Sequence, residues 1–393
     1  MRKLSRALFI LILISYPAAV FPQFTNIYTF SGDVDLGVDY TLFQSSGQHY
    51  ISARGDTVYV VTSDGGNVVC QKSTDGGQSF GFPVIVNTIA DAGNPSMRVD
   101  TAGVVYVAYQ LNADIYFSKS IDGGASFTPG VKVNDDTIPQ VGQEKPSIVI
   151  NNKGQIFIVW RDQRKSAPHT HQTVFVSVSY DGGLNFGTNV QVNDSLSILG
   201  ETVDIGADDN GHVYVVWITN QNSLALARSE DSAITFGNPT VVNSDLNESA
   251  TIAVGIGMVA IAWGNVRFVN TTEVFTVYFS ISSDFGITFS PPILIDSSSP
   301  ARNPSLVWKQ GKLYLSWQAS HVRSDSLRYL DIFFSHSFDG GSTFAPRIPT
   351  NFDSFSSHCC ASTAVNENGK VFVAWLDRRH DPFFGLNWHT FVA

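Results

Sequence analysis

The sequence predicts an all-β fold, a seven-bladed β-propeller in which every blade is a four-stranded antiparallel sheet. Three observations carry this prediction: a repeat of roughly 50 residues, a strand pattern that recurs in each repeat, and a tight turn towards the end of the unit. Long stretches with helical periodicity are absent from the chain, so helices are not expected.

The second strand of the repeat is its clearest element. Its copies are rich in β-branched and aromatic residues, and several are apolar on both faces, as expected for strands enclosed between neighbouring sheets. Seven copies are present: VYVVT (58–62), VVYVAY (104–109), IFIVW (156–160), VYVVW (213–217), VAIAW (259–263), LYLSW (313–317) and VFVAW (371–375).

A tight turn of the form Ser-x-Asp-x-Gly-x-(Ser/Thr)-Phe follows the third strand. An Asp at the head of a hairpin accepts backbone N–H bonds, Gly permits a positive φ, and the Phe packs beneath the hairpin, so the predicted role is structural. Asn185 replaces the hydroxyl residue in the third copy, and Ala233 replaces Gly in the fourth. The six copies, called aspartate turns below, carry Asp75, Asp122, Asp181, Asp231, Asp284 and Asp339.

These turns and the four-strand unit resemble the Asp-box (bacterial neuraminidase repeat) proteins of the sialidase-like superfamily, over almost the whole chain after residue 23. The resemblance implies a propeller whose boxes lie on the outer rim, away from the active site. For a sialidase it also implies three arginines on the substrate carboxylate, a Tyr–Glu nucleophile pair and an Asp acid/base. The family's N-terminal Phe/Tyr-Arg-Ile-Pro motif is not found where it should be, and no Tyr follows Tyr329. Catalytic activity therefore stays open.

The blade count depends on how the ring closes, because seven second strands accompany six aspartate turns. The last unit begins near His358 and ends before a fourth strand. The stretch FTNIYTF (24–30) has no partner of its own, so we predict that it completes the seventh blade and removes two free edges. Six blades with an irregular cap are the alternative.

Residues 1–23 have the features of a secretory signal peptide, a basic start followed by an apolar run at 7–15 and small residues. We expect residues 24–393 to form one domain that is secreted, extracellular or periplasmic, monomeric and without a transmembrane segment. The net charge of −10 and the lack of a basic run argue against nucleic acid as a partner. No cofactor and no metal ion are predicted.

One face of the predicted propeller collects the candidate ligand residues. In such a blade the loops that join blades and the loops between the second and third strands share a face, and the aspartate turns take the other. Charged residues belong on any loop, which accounts for part of the pattern; the rest favours a glycan or a cell-surface ligand. The alternative is a non-catalytic extracellular scaffold for a protein partner. The candidates are Glu144, Arg161, Asp162, Arg164, Glu248, Arg302, His358, Asp377, Arg378 and His380.

Two segments of the form Trp-x-Asp-x-Arg stand at the ends of second strands, at residues 160–164 and 375–379. An Asp–Arg pair in this position either fixes the loop after the strand or binds an anion or a sugar. Both interpretations remain open from the sequence.

Three cysteines are too few for a disulfide framework. Cys70 is expected in the core, on the third strand of the first blade. The adjacent pair Cys359 and Cys360 is expected at the start of the innermost strand of the last blade. The pair has three interpretations: buried thiols, a vicinal disulfide, or a soft-metal site with His358 or His380.

Overall fold

The structure is a computed structural model. The predicted signal peptide and His380 lie outside the residues that it describes, and no helix within those residues is long and apolar enough to cross a bilayer. The described residues are 28–30, 32–39, 49–137, 141–165, 172–193, 198–322, 328–351, 358–379 and 388–393.

Seven four-stranded antiparallel sheets make up the described residues, which contain no helix. The predicted seven-bladed propeller is confirmed, and the six-bladed alternative is wrong. The innermost strands of blades 1 to 7 are β2 (Ile51–Arg54), β6 (Ala92–Val99), β10 (Gln143–Ile150), β14 (Ile198–Ala207), β18 (Asn247–Gly255), β22 (Ala301–Lys309) and β26 (His358–Val365).

The remaining strands follow outwards from the channel in chain order, apart from the outermost strand of blade 7. The second strands are β3 (Thr57–Asp64), β7 (Val105–Leu111), β11 (Ile156–Asp162), β15 (Val213–Thr219), β19 (Met258–Val269), β23 (Lys312–Val322) and β27 (Val371–Asp377). The third strands are β4 (Asn67–Ser73), β8 (Asp114–Ser120), β12 (Thr173–Ser179), β16 (Leu224–Ser229), β20 (Thr272–Ser282), β24 (Arg328–Ser337) and β28 (Trp388–Val392). The outermost strands are β5 (Val84–Ile85), β9 (Val131–Lys132), β13 (Val190–Gln191), β17 (Thr240–Asn243), β21 (Ile293–Asp296), β25 (Ile348–Pro349) and β1 (Val34–Asp39).

The apolar layers lie between blades. Every residue of β11, β15 and β27 is buried, because both faces of a second strand meet a neighbouring sheet. Trp160, Trp217 and Trp375, at the ends of these runs, are fully buried. Each large side chain removed from water in this way contributes about 1.5–3 kcal/mol to folding.

The last blade combines the two ends of the described chain. β1 pairs with β28, with Val34 opposite Val392 and Asp35 opposite Phe391. The predicted closing segment was placed too early: residues 24–27 lie outside the description, and Tyr28 and Phe30 pack on the side of blade 6 without forming a strand. The sequence VDLGVD alternates apolar and polar positions, which suits an edge strand with one covered face.

The aspartate turns have the hydrogen bonds expected from their sequence. In the second turn Asp122 accepts from the Ser120 hydroxyl at 2.6 Å, from the Ser126 amide at 3.0 Å and from the Ser126 hydroxyl at 2.5 Å. The other turns repeat these bonds, except that in the third the Asn185 side-chain amide donates to Asp181 in place of a hydroxyl, and Ala233 adopts a φ of 67° in place of Gly. The six phenylalanines all pack on core clusters: Phe80, Phe127, Phe186, Phe236, Phe289 and Phe344.

A row of polar side chains runs around the channel on the innermost strands. In blades 2 to 7 each member lies opposite the residue that precedes the aromatic end of the second strand, and several accept an amide hydrogen bond from the next blade, for example Ser305 from Thr363 at 3.0 Å. Ser362 accepts from the amide of Tyr50 in the same way, which places His49 in this row. The other members are Ser96, Ser147, Asp204, Thr251, Ser305 and Ser362.

Candidate functional site

The channel opens on two faces that carry different chemistry. Each innermost strand begins on what we call the upper face, where the second strands also end. The turns between first and second strands and the aspartate turns lie on the opposite, lower face, because the strands alternate in direction. The candidate ligand residues that the structure describes therefore belong to the upper half of the molecule.

β-bulges near the start of the innermost strands set the side chains of the upper face. The pairing register shifts there in blades 2, 3, 6 and 7, and the bulged residue has a positive φ: 49° at Asn94, 54° at Lys145, 53° at Asn303 and 60° at Cys360. A bulge re-aims the side chain beside it. Glu144, Arg302 and Cys359 precede the bulged residue in their blades and occupy equivalent positions.

Glu248 of blade 5 and Arg302 of blade 6 approach each other over Gly264. A Cβ at Gly264 would lie 3.4 Å from Glu248 Cγ, 3.6 Å from Arg302 Cβ and only 2.7 Å from Ser249 Oγ. Because Gly264 has no side chain, Glu248 and Arg302 can both lie close above it. The guanidinium of Arg302 also lies 5.4 Å from the ring centre of Phe275.

Arg378 of blade 7 lies over the ring of Trp388, with 4.0 Å between the guanidinium carbon and the ring centre. Trp388 packs in turn against Cys359 and Cys360. The Nε atoms of Arg302 and Arg378 and the Oε1 atom of Glu248 are buried and have no hydrogen-bond partner within the described part of the chain. We call Glu248, Arg302, Cys359, Arg378 and Trp388 the upper cluster.

The members of the upper cluster interact electrostatically, as the shifts in the pKa values of Cys359 and Glu248 show. A hydrogen bond with Cys360 and burial raise the pKa of the Cys359 thiol well above its ordinary value, while the positive charges of Arg378 and Arg302 both act to lower it. Burial raises the pKa of Glu248, opposed by Arg302 and reinforced by Glu273. Two cations and one carboxyl group with a raised pKa therefore meet at the edge of the channel.

In the described residues the cysteine pair fits the first of its three interpretations, buried thiols, while the metal site with His380 lies outside them. All three cysteines are free, and the Sγ atoms of Cys359 and Cys360 are 2.9 Å apart, a hydrogen-bond contact. Both cysteines begin the innermost strand of blade 7, as predicted. Cys70 lies buried on the third strand of blade 1, also as predicted.

Glu144 and Arg161 form a separate group on blade 3. Their charged groups are 3.3 Å apart, and the amide of Gln172 joins them by donating to Glu144 and accepting from Arg161. This carboxylate–guanidinium pair already satisfies part of its hydrogen-bonding capacity internally. It is thus less available to a ligand than the unpaired atoms of the upper cluster.

The two Trp-x-Asp-x-Arg segments fold alike and fix their loops. Asp162 accepts from Trp160 Nε1 at 2.8 Å, from the Arg164 amide at 2.8 Å and from Arg164 Nε at 2.9 Å. Asp377 accepts from the Arg379 amide and Arg379 Nε, both at 2.7 Å. The charges of both aspartates are therefore used inside the loop, as the first of the two interpretations expects.

His358 is not a residue of the open face, which corrects the sequence-based expectation. Its ring is fully buried; Nδ1 donates to the Leu330 carbonyl at 2.7 Å, and Nε2 lies 3.0 Å from Asp377. The position at the start of β26 was right, but a histidine directly opposite Asp377 is drawn into the sheet. Of the predicted upper-face residues that are described, Glu248, Arg302 and Arg378 come together, whereas His358 and Asp377 pair with each other inside the sheet.

Several residues of consequence were not among the sequence candidates. Phe275 and Trp388 support the two arginines, Arg98 lines the channel, and Asp204 contacts His49, which lines it as well. A signal existed for Asp204, which is the one carboxylate in a row whose other members are His49, serines and a threonine. No group of three or more His, Cys, Asp or Glu residues that could hold a metal ion is found in the described ranges.

Comparisons with solved structures support the fold. The chain is similar to an ulvan lyase of polysaccharide lyase family PL25, with a TM-score of 0.59, 12% identity, and coverage of 91% of this chain and 93% of the lyase. It is also similar to an α-L-arabinanase of Penicillium chrysogenum bound to arabinobiose (TM-score 0.52, 15% identity, coverage 93% and 98%). It is similar as well to an α-L-arabinofuranosidase of Fusarium graminearum, with a TM-score of 0.51, 14% identity, and coverage of 93% of this chain and 98% of that enzyme. No family model and no curated protein matches the chain.

Proposed function

We propose that this protein is an exported, glycan-directed propeller that binds an acidic sugar at the upper cluster. The observation that carries the proposal is the pair of arginines, Arg302 and Arg378, each with a buried Nε that has no protein partner in the described residues. Guanidinium groups bind carboxylates through two parallel hydrogen bonds, and a carboxylate would satisfy these donors.

The two arginines are held ready for such a ligand. Arg302 lies against Phe275 and Arg378 against Trp388, so each planar group is supported on one face by an aromatic ring. A side chain that is already ordered loses little conformational entropy on binding. This arrangement supports recognition of a planar, charged group rather than a general attraction of anions.

Glu248 adds a carboxyl group to the two arginines of the site. Its buried Oε1 lacks a partner in the described residues, and burial raises its pKa, so the carboxyl group retains its proton to a higher pH than an exposed glutamate. Glycoside hydrolases use a carboxyl group of this kind as the proton donor to the leaving oxygen. The proposed role of Glu248 is to bind a sugar hydroxyl and, in a cleavage reaction, to supply this proton.

The fold comparisons support the carbohydrate part of the proposal at the level of the scaffold. The similar structures include a polysaccharide lyase and an arabinanase, at identities of 12% and 15%. The proposal does not require the complete set of sialidase residues. The described upper cluster holds two arginines and one glutamate. Binding and cleavage are therefore tested separately.

The decisive experiment is a calorimetric titration with oligosaccharides that contain uronic or sialic acid, each compared with its carboxyl-reduced, neutral form. We expect the acidic form to bind and the neutral form to bind at least about tenfold more weakly, since charge-assisted hydrogen bonds are lost. Arg302→Met and Arg378→Met should each show a similar loss. Arg228→Met removes the same charge from the lower face and is the matched control. Release of reducing ends, absent in Glu248→Gln, would establish cleavage.

A protein-interaction scaffold is the second candidate, and one feature favours it. β19 is longer than the second strand of any other blade, and β20 is longer than any other third strand. Together they form a hairpin, and at its tip the side chains of Phe268 and Val269 are 60% and 46% exposed. Exposed apolar side chains at a loop tip suit a protein partner. Unchanged glycan binding in both arginine variants, or no acidic glycan binding at all, would favour this scaffold.

A further inference from the structure

A shallow groove lies beside the upper cluster, where blade 5 meets blade 6. It is formed by the start of β20 and by the loop that joins β21 to β22, so it belongs to the upper face. The groove is open to solvent, and the surface that it exposes is mainly apolar. We call it the side groove, and its lining residues are Thr272, Glu273, Val274, Phe275, Ser299 and Pro300.

Hydrogen bonds hold the two walls of the side groove together. The amide of Phe275 donates to Ser299 Oγ at 3.1 Å, which ties the strand to the loop. Ser320 of β23 fixes the same loop, because its hydroxyl donates to the Ser299 carbonyl at 2.7 Å and its amide to the Pro300 carbonyl at 3.0 Å. The polar atoms of Ser299 therefore have protein partners already, and the groove has its shape before a ligand arrives.

Phe275 connects the side groove to the upper cluster. Its ring lines the groove, and the ring centre lies 5.4 Å from the guanidinium of Arg302. Arg302 also follows Pro300 of the loop wall by only two positions. A ligand whose acidic group binds Arg302 would thus have the side groove directly beside it.

The charges around the side groove favour an uncharged group inside it. Glu273 is part of the lining, and its charge helps to raise the pKa of Glu248, so the two carboxyl groups act on each other. A carboxylate of the ligand would be repelled by Glu273, whereas Arg302 and Arg378 attract it. The acidic end of a ligand therefore belongs at the arginines, and an uncharged apolar end belongs in the groove.

The hairpin of β19 and β20 continues the apolar surface beyond the groove. Phe268 lies opposite Glu273, and Val266 lies opposite Phe275, so the alternation of the strand places Phe268 on the same face as Phe275. The side chain of Phe268 is 60% exposed. An apolar group that is longer than the groove would find further apolar surface along this hairpin.

We infer that the side groove is a second subsite beside the upper cluster and binds the apolar aglycone of an acidic glycoside, whose sugar carboxylate is bound by Arg302 and Arg378. The inference rests on the proposed function, because the upper cluster must hold the acidic sugar. An apolar aglycone gains free energy in proportion to the apolar area that it removes from water, and the side groove offers that area.

The probes are thioglycosides, which resist cleavage: the methyl and phenyl thioglycosides of glucuronic acid and of N-acetylneuraminic acid, with phenyl 1-thio-β-D-glucoside as the neutral ligand. In calorimetric titrations of the protein, the phenyl form of the acid that binds should bind at least about tenfold more tightly than its methyl form, since the phenyl ring leaves water. The neutral phenyl glucoside should bind at least about tenfold more weakly than the acidic phenyl form.

Val274→Asn tests the groove itself. It should remove most of the advantage of the phenyl form and leave the binding of the methyl form unchanged, because Val274 lines the groove and is not a member of the upper cluster. Val241→Asn makes the same change at an exposed valine of β17 in blade 4 and is the matched control. If Val274→Asn does not fold, the methyl and phenyl forms still test the inference on the parent protein.

The results that would overturn this inference differ from those that would overturn the proposed function. Equal binding of the methyl and phenyl forms of the acid, or a phenyl advantage that persists in Val274→Asn, would overturn the side groove and leave the acidic-sugar site standing. Binding of the neutral phenyl glucoside as tight as that of the acidic phenyl form would also overturn it, because the groove would then act without the arginines. The absence of binding by every acidic glycoside would overturn both proposals.

Discussion

His49 of the first blade and Asp204 of the fourth are hydrogen-bonded across the central channel, with 3.2 Å between Nε2 and Oδ1. These blades are not neighbours in the ring, so the bond spans the channel. Burial lowers the pKa of His49, helped by Arg98, and the coulombic and hydrogen-bonding contributions of Asp204 oppose the shift. Asp204 joins innermost strands of blades 1, 3, 4 and 5 through its side chain.

Asp204→Ala should therefore be strongly destabilising, by about 3–5 kcal/mol, because it leaves several buried donors without an acceptor. Asp204→Ser introduces the hydroxyl residue that neighbouring blades have at this position, and it should lower the free energy of unfolding by less. Urea denaturation of the two variants and the parent measures the difference. Equal stability of all three proteins would contradict the role of this carboxylate.

The aspartate turns should make the protein sensitive to acid. Hydrogen bonds from Thr288 and Ser282 lower the pKa of Asp284 from 3.8 to about 2, and bonds from Asn185 and Ser179 do the same for Asp181. Since the folded-state pKa lies below the unfolded value, this stabilisation is complete above about pH 5 and is lost as the pH falls towards 2. The melting temperature of Asp284→Asn should fall less steeply over this range than that of the parent.

Asp122→Ala should lower the melting temperature by a few degrees and leave glycan binding intact. The aspartate holds its own turn on the lower face, far along the strand from the upper cluster. Differential scanning calorimetry and the glycan titration measure the two effects on the same sample. A variant with parental stability and no binding would show that these turns take part in recognition.

The three thiols should resist alkylation in the folded protein. Burial raises the pKa of Cys70 to about 12, and the hydrogen bond with Cys360 together with burial raises that of Cys359. Thiolates, not thiols, react with iodoacetamide. Mass spectrometry should find no label at neutral pH and three labels after denaturation. Two missing labels, with a mass lower by two hydrogen atoms, would instead reveal a vicinal disulfide.

The sequence was sufficient for the repeat and for the turns because both are local. The second strands follow from β-branched and aromatic runs, and each aspartate turn needs only residues within eight positions of one another. The closing strand was misplaced because FTNIYTF is more aromatic than VDLGVD, although the latter alternates as an edge strand does. The segment with the stronger β-strand composition was therefore not the segment that forms the strand.

The site was predictable only in part because depth and neighbours are not local properties. Arg302 and Arg378 were found from topology, but their support by Phe275 and Trp388 depends on side-chain packing between separate strands. His358 was placed on the right strand and at the wrong depth. The bond between His49 and Asp204 joins residues 155 positions apart, which no spacing in the chain indicates.

The pairing of β1 with β28 has a consequence for the order of folding. His389 and Asp35, in contact at 3.0 Å across these strands, are 354 residues apart, so this blade is completed only when both ends of the described chain are present. The other blades consist of consecutive strands and depend on short connections. During synthesis six blades can therefore assemble as an open arc, whose terminal edges stay exposed to other chains until β28 emerges. A truncation before Trp388 would preserve most of the strands and yet prolong that exposure indefinitely, so aggregation, rather than simple loss of stability, is the outcome it would produce.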